Sequence, residues 1–373
     1  MRRRMGRMDD QRKNFGICSK LLPVLFFGIL LATGIIAMVF RVGREEENLE
    51  NRILAEFSME PAQFEKWLND HAPFRSQWLN AYAVLNYRLF GCVDNEQVIV
   101  GKDGWFFYTG DGTVDEMLGV SLFTEAEMEE ILVDLLAMRE RYAYRPEDFA
   151  VFVAPDKEKI YSRYLPGAYE NKTETSRAAE LVRYIREHSD IRVVYPVKEL
   201  KREAEGSYPL YYKTDTHWNR LGAFVGVQEL IDCLGGTAHS LSELTVSMGE
   251  ERTGDLVLLS HLPAQYYEDC DPLFAGYYDE AEISVPEEDL SGTGIRKAVN
   301  EKPADERKLV MVRDSFGDAM NTSLCRYFKE VTSINWEKVS QVPKEEFSGD
   351  LFVYEIVERR LLQMPDNLKV IIQ

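Results

Sequence analysis

The sequence has few of the residues that bind transition metals. It contains five histidines and five cysteines in 373 residues, and none stands in an H-x-x-x-H, H-E-x-x-H or C-x-x-C pattern. The cysteines are too irregularly spaced for a disulfide framework, although one bridge among the last four stays open. The sequence therefore predicts no catalytic metal and no bound cofactor. These cysteines are Cys18, Cys92, Cys233, Cys270 and Cys325.

Positive charge is also scarce. Lys and Arg number 44 against 63 Asp and Glu, which gives a formal net charge of -19 at pH 7. A surface this acidic repels phosphate backbones, so nucleic acid is not the expected partner. Hydrophobic residues make up 45% of the chain, the composition of a globular protein with ample material for a core.

One long stretch has no charge at all. Residues 21–40, "LLPVLFFGILLATGIIAMVF", are long enough to cross a hydrocarbon core as a helix. Residues 1–20 hold seven basic against two acidic side chains, so this tail should stay cytoplasmic. A cleaved signal peptide and a buried core helix are the alternatives, but no A-x-A site follows the run. The sequence predicts a single-pass anchor in the cell membrane with the remaining chain outside the cytoplasm.

The next segment, residues 41–95, is predicted to form helices near the membrane. Its apolar residues recur at helical spacing in two groups, and Gly91 is placed to end the second helix. "VIVGKDGWFFY" then predicts a hairpin closed by a Lys-Asp-Gly turn. The two groups are Phe64, Trp67 and Leu68, followed by Trp78, Tyr82, Leu85 and Leu89.

Residues 96–373 alternate between predicted strands and helices. Thr124 and Glu127 form a capping box that opens one helix, and Gly235-Gly236 ends another. A polar region at about 236–305 is predicted to be an insertion. Strands separated by helices predict a three-layer α/β/α sandwich. The predicted strands are "FAVFVA", "IRVVYP", "KLVMV", "VTSINW", "LFVYEIVER" and "LKVII".

Ser315 lies where a predicted strand becomes a helix, in "KLVMVRDSFGDAM". Such a junction puts the hydroxyl at the carboxyl edge of the sheet, where α/β proteins bind ligands. The first N–H groups of the helix could stabilise an oxyanion there. The alternative is that Ser315 or Asp314 only caps the helix.

"YYKTDTHWNR" at 211–220 could supply the base that a serine nucleophile needs. The His217 imidazole would take the proton, and Asp215 would orient the ring. A spacing of two residues is not helical, so both side chains reach one site only if the loop is bent. A histidine held by hydrogen bonds for structural reasons is the alternative.

Six motifs in a fixed order resemble the DHHW family and its alginate O-acetyltransferase relatives of the AlgJ and AlgX type. They are "FEKWLNDHAPFR", "VGKDGWFFY", "PDKEKIY", "YYKTDTHWN", "TGDL" and "VRDSFG". The resemblance implies an SGNH-hydrolase-like fold with permuted motif order, in which Ser315 is the nucleophile, His217 the general base and Asp215 its orienting acid. Arg313 stands where the founding SGNH pattern has glycine, so the oxyanion hole does not transfer directly.

This resemblance implies an extracytoplasmic O-acetyltransferase acting on a cell-surface polysaccharide. Its acyl donor would be supplied by a multi-pass membrane-bound O-acyltransferase (MBOAT type). Tyr212 and Trp218 are candidates for stacking on sugar rings, and Lys157 and Arg313 for a locally basic groove. The alternatives are core aromatic residues and solvated surface charges.

Two other functions fit the same residues. An esterase would use the same three side chains and pass the acyl group to water, since transfer and hydrolysis differ in how well water is excluded. A non-catalytic polysaccharide-binding or assembly protein would keep the motifs for structure.

Overall fold

A computed structural model of the protein describes residues 24–29, 31–32, 56–70, 75–169, 175–264, 268–284 and 292–372. By internal contacts the chain forms two compact units, Met1–Leu85 and Asn86–Gln373. The predicted tail lies outside the described residues, as does most of the predicted anchor, of which residues 24–29 and 31–32 are helical. Among the described residues, no helix has the length and apolarity needed to cross a membrane.

Two helices precede the main domain. They are α1 (Pro61–Asp70) and α2 (Arg75–Phe90), the second of which continues into the second unit. The rings of Phe64 and Trp67 stack at 5.9 Å between centroids, which confirms that they share a helical face. Gly91 adopts a positive φ of 65° and donates its N–H to the Tyr87 carbonyl, so it ends α2 as predicted.

The main domain is built on a seven-stranded mixed sheet. Its order is β4-β3-β11-β9-β10-β8-β7, in which the first five strands are parallel, β8 pairs antiparallel with β10, and β7 pairs antiparallel with β8. Two pairs stand apart from it, β1 with β2 and β5 with β6. The strands are β1 Val98–Val100, β2 Phe106–Tyr108, β3 Phe149–Ala154, β4 Arg192–Val194, β5 Thr245–Thr253, β6 Glu268–Ala275, β7 Ile283–Ser284, β8 Ile295–Asn300, β9 Asp305–Arg313, β10 Phe328–Asn335 and β11 Leu351–Val357.

Helices cover both faces of this sheet. Every residue of β3 is buried, and alternate side chains of that strand enter two separate hydrophobic clusters. The continuous apolar run of "FAVFVA" is therefore that of a central strand covered on both sides, and the predicted three-layer α/β/α fold is confirmed. The helices are α3 Thr113–Leu118, α4 Glu125–Arg141, α5 Lys157–Ile160, α6 Arg177–His188, α7 Val197–Glu203, α8 Arg220–Cys233, α9 Asp255–Leu259, α10 Phe316–Tyr327 and α11 Met364–Ile372.

Several local predictions are confirmed. The predicted hairpin is β1 paired antiparallel with β2. Its turn contains Asp103 and Gly104, both at positive φ. The capping box is present, since the Thr124 hydroxyl accepts from the Glu127 N–H and the Glu127 carboxylate accepts from the Thr124 N–H. Cys92, Cys233, Cys270 and Cys325 are all free thiols.

One prediction from the sequence is wrong, and one region holds strands that the sequence did not indicate. "LKVII" is part of helix α11, because Met364, Leu368 and Ile371 recur at helical spacing and are all buried. A short apolar run fits a strand and a buried helix equally well, so its spacing alone does not distinguish the two. The polar region at about 236–305 holds four strands, β5 to β8, that were not predicted. Strand β5 is largely exposed, and its sequence has little hydrophobic alternation.

Candidate active site

Ser315 lies at the carboxyl edge of the sheet, between β9 and α10. It is exposed although both neighbours, Asp314 and Phe316, are buried. The Ser315 hydroxyl does not cap α10. Asp314 holds the turn instead, since its two carboxylate oxygens accept from the N–H groups of Phe316 and Val357, each at 2.8 Å. The turn is therefore fixed by Asp314, and the serine hydroxyl is left for another partner.

Arg313 takes the place of the founding glycine without facing solvent. Its side chain is 4% exposed, with the guanidinium 2.8 Å from Asp318 and bonded to the Ser333 hydroxyl at 3.1 Å. The stem packs against Gly317, where an added Cβ would lie 2.6 Å from the Arg313 Cβ. The absence of a side chain at Gly317 thus makes room for the arginine that stands at the founding glycine position.

The candidate base lies in a bent loop, residues 211–218, which we call the histidine loop. A bridge between Tyr211 and Trp218 closes it, and the Tyr212 N–H donates to the His217 carbonyl at 3.3 Å. Asp215 Oδ1 accepts from the His217 backbone N–H at 2.9 Å and from ring atom Nδ1 at 2.7 Å. The bend of the loop therefore brings the side chains of Asp215 and His217 together, although they are only two residues apart.

The structure brings the three predicted side chains together. His217 Nε2 lies 2.9 Å from Ser315 Oγ, while Nδ1 of the same ring faces Asp215. With Nδ1–H donated to the carboxylate, the Nε2 lone pair is free to accept the serine proton. This is the geometry required for a base-activated serine nucleophile.

Two residues of the polar region complete the surroundings of the imidazole. Arg252 Nη2 donates to Asp215 Oδ2 at 2.9 Å, and Asp255 Oδ2 lies 3.8 Å from His217 Nδ1. Burial by itself raises the pKa of Asp215. The hydrogen bonds from His217 and the Arg252 charge outweigh it, and they hold that pKa below its ordinary value.

Residues far apart along the chain clamp the histidine loop. Asp269 accepts from the N–H groups of Lys213 and Thr214 at 3.0 and 2.8 Å. Gly254 packs so tightly that a Cβ there would lie 2.0 Å from the Thr214 carbonyl oxygen. The buried ammonium of Lys157 donates to three carbonyls of the loop, with 2.6 Å to that of Asp215.

Sequence reasoning missed Arg252, Asp255 and Asp269 as parts of the site. A signal existed for one of them, because Asp255 belongs to the "TGDL" motif that contributed to the resemblance. Arg252 and Asp269 are brought in by the pairing of β5 with β6, in which they face each other. No local pattern marks that pairing.

The four predicted substrate-binding residues are buried. Trp218 donates its ring N–H to the Phe316 carbonyl at 2.9 Å, and Tyr212 hydrogen bonds to Asp271. Lys157 is 0% exposed and Arg313 4%, so neither is a solvated surface charge. These contacts position the histidine loop and the serine turn. Direct contact of the four with a substrate stays a prediction.

Asp215, His217 and Asp255 form a group whose ligand atoms lie within 4.8 Å of one another. These atoms already have partners: Arg252 holds one carboxylate, and the N–H and hydroxyl of Thr216 hold the other, at 2.8 and 2.6 Å. A cation would have to compete with the Arg252 guanidinium for Asp215.

Comparison with known proteins found similar domains and relatives. Residues 98–268 match the family model described as an SGNH hydrolase-like domain of the acetyltransferase AlgX. This range contains Asp215 and His217 and ends before Ser315. The probable alginate O-acetylase AlgJ of Pseudomonas aeruginosa is 28% identical over 224 residues, covering 57% of this chain and 51% of AlgJ. AlgJ of Pseudomonas putida is 23% identical over 170 residues, covering 43% and 40%.

The chain thus spans about half the length of the curated relatives it matches. Among solved structures, a DHHW family protein from Eubacterium siraeum is similar in fold. Its TM-score is 0.52 at 15% identity, covering 73% of this chain and 97% of that one. The resemblance predicted from the motifs is confirmed: this chain is similar to the DHHW and AlgJ/AlgX-type proteins and has their SGNH-hydrolase-like α/β fold.

Proposed function

We propose that this protein is an O-acyltransferase in which Ser315 carries the acyl group. The observation that supports this most is the continuous hydrogen-bonded chain from Ser315 Oγ to His217 (2.9 Å) and on to Asp215 (2.7 Å), ending at an exposed hydroxyl. An exposed serine with a base in place and a buried, oriented carboxylate is arranged for nucleophilic catalysis rather than for capping a helix.

Transfer would take place in two steps. Ser315 Oγ attacks the carbonyl carbon of an acyl ester or thioester, its proton passes to His217 Nε2, and the donor's leaving group departs with that proton. An acceptor hydroxyl then gives its proton to His217 and attacks the acyl carbon, so that a new ester forms and Ser315 is released with its proton restored. Asp215 keeps Nδ1 protonated throughout, which leaves Nε2 as the working base.

The acceptor we propose is a hydroxyl of a cell-surface polysaccharide, and the acyl group is acetyl. Support comes from the similarity to proteins described as an alginate O-acetylase and as the acetyltransferase AlgX. An exposed serine also suits a large acceptor that is bound along the surface. The proposal extends to a membrane-bound O-acyltransferase as donor partner, because acetyl-CoA is made in the cytoplasm.

Anchoring by residues 21–40 belongs to the same proposal. The uncharged run and the basic residues before it support a single membrane span with the main domain outside the cytoplasm. The span would keep the domain close to a membrane-bound donor and raise its effective concentration. Removal of residues 1–40 should move the protein from the membrane fraction to the soluble fraction of a cell extract.

An esterase is the second candidate function, favoured by the exposure of Ser315. Water can reach an acyl-serine at an open site, and hydrolysis then competes with transfer. Acetate released from acetylated polysaccharide, with no acetyl gained by an added acceptor, would favour the esterase.

The test uses the full chain in the wild-type form and as Ser315→Ala. We expect a serine-directed covalent probe to label wild-type protein at Ser315, and surface acetylation to be lost in cells that carry the variant. Ser348→Ala, at another exposed serine, should keep both properties. Unchanged acetylation in Ser315→Ala cells would leave the non-catalytic function as the better account.

A further inference from the structure

Two carboxylates face the Nδ1 edge of His217, and their surroundings differ. Asp215 accepts from Nδ1 at 2.7 Å and from Arg252 at 2.9 Å. Asp255 lies 3.8 Å from Nδ1. In the described part of the chain, the hydrogen bonds that its carboxylate accepts all come from Thr216. Arg252 therefore offsets the charge of Asp215, whereas the negative charge of Asp255 has the His217 ring as its ion-pair partner.

The position of Asp255 is fixed, although its side chain is 39% exposed. Its Oδ1 accepts from the Thr216 N–H at 2.8 Å and its Oδ2 from the Thr216 hydroxyl at 2.6 Å. That hydroxyl is itself 3.1 Å from His217 Nδ1. The carboxylate is thus held beside the ring by a residue of the histidine loop, at a distance set by one intervening hydroxyl.

Charged and titratable groups approach His217 from several elements. The loop contributes Asp215, and α9 contributes Asp255. Arg252 of β5 donates to the Asp215 carboxylate. Lys157 of α5 donates to the Asp215 carbonyl, and its charge also interacts with the carboxylate of Asp255. From the serine turn the ring meets the Ser315 hydroxyl, and from α10 it meets the Phe316 ring, whose centroid lies 5.0 Å from that of the imidazole.

We propose that Asp255 is a positioning residue of this site, a second carboxylate that stabilises the His217 imidazolium formed when Ser315 gives up its proton. The role rests on the proposed function. Arg252 pairs directly with Asp215, whereas the ion pair of Asp255 in the described part of the chain is the one with His217, so Asp255 adds a second negative charge to the one that orients the ring. No bond to Asp255 forms or breaks: the proton moves from Ser315 Oγ to His217 Nε2, and Asp255 stays ionised.

The predicted signature is a change in the basicity of His217. Removal of a negative charge about 4 Å from an imidazolium destabilises the protonated ring, so its pKa falls. We expect Asp255→Asn to lower that pKa by about one unit, after allowance for exposure to solvent. The acidic limb of the pH–rate profile should move down by the same amount. A weaker base also slows the step, so the plateau rate should fall by about threefold, because the proton is only partly transferred in the transition state.

Two matched variants separate charge from structure. Thr216→Val keeps the Asp255 charge and the Thr216 backbone bond but removes the hydroxyl link, so the rate should fall without movement of the acidic limb. Glu251→Gln removes an exposed carboxylate from β5, next to Arg252. It should leave both the pKa of His217 and the rate as in the wild type.

Two measurements on the full chain test the proposal. One follows Ser315 acetylation by 4-nitrophenyl acetate against pH, with mass spectrometry to assign the site. The other titrates His217 by NMR in histidine-labelled protein, which has only five histidines to resolve. An Asp255→Asn protein whose His217 titrates as in the wild type overturns this proposal. Wild-type protein that shows no acetylation at Ser315 overturns the proposed function instead, and the NMR titration still reports the coupling.

Discussion

The histidine loop and the serine segment (residues 313–317) meet at two hydrogen bonds, His217 with Ser315 and Trp218 with the Phe316 carbonyl, yet they are held in different ways. Asp314 fixes the serine segment through the N–H groups of Phe316, two residues away, and of Val357 on the adjacent strand β11. The histidine loop depends on four residues from three other places in the chain. These are Lys157, Gly254, Asp255 and Asp269.

The difference shows what each half of the site requires from the fold. A strand followed by a helix places a serine at the sheet edge almost by itself, because the junction geometry is local. A loop that carries an imidazole has no such frame, and its backbone groups must be satisfied by partners brought from elsewhere. Disturbance of the distant clamps should therefore affect the two halves unequally.

Gly254→Ala should give the largest effect, on the histidine loop. The added methyl would lie 2.0 Å from the Thr214 carbonyl oxygen, so the loop has to move, although φ of -76° suits alanine. A shift of about 1 Å in a catalytic group costs about a hundredfold in rate. We expect this loss in the rate of Ser315 labelling by a serine probe.

The matched control for that variant is Gly167→Ala, where an added Cβ meets nothing within 4 Å. It should label at the wild-type rate. Equal rates for Gly254→Ala and the wild type would mean that the loop does not depend on this outside support.

Asp314→Asn should destabilise the serine segment by about 2 kcal/mol, since an amide cannot accept on both sides and one buried N–H loses its partner. Urea unfolding of the full chain measures this. Asp350 makes the same kind of bond to the Lys308 N–H at an exposed site. Asp350→Asn should therefore change the unfolding free energy by less than about 0.5 kcal/mol. Equal losses in the two variants would contradict a special role for the buried turn.

The smallest effect concerns Asp215 and depends on pH. Its pKa is lower in the folded protein than its ordinary value, so the unfolded chain binds the proton more readily. Its contribution to stability is therefore present above about pH 4 and is lost as the pH falls through the folded pKa. Asp215→Asn should cost about 1.5 kcal/mol at pH 6, because a charged hydrogen bond is lost.

Below pH 4 that difference between wild type and Asp215→Asn should shrink. Parallel urea titrations of the two proteins at pH 6 and pH 3 measure the change. A difference that stays constant over this range would show that the carboxylate charge contributes nothing to the fold.

Local sequence patterns were enough to predict much of the fold. The strands of "FAVFVA" and "KLVMV", the capping box at Thr124 and the glycine stop at Gly91 were all predicted, because each depends on neighbours along the chain. The helix at "LKVII" was mistaken for a strand, since nine residues are too few to distinguish the two periods. Strands β5 and β6 were not predicted; β5 is largely exposed, and an exposed strand lacks the apolar alternation that marks a half-buried one.

The sequence by itself determined that a serine ends a buried strand and that an aspartate and a histidine stand two residues apart. Only the tertiary structure decided that the histidine reaches the serine, and that Arg252 and Asp255 surround it. Those contacts join residues 37 to 98 positions apart. Their energies depend on distance in space, which a short window of sequence does not contain.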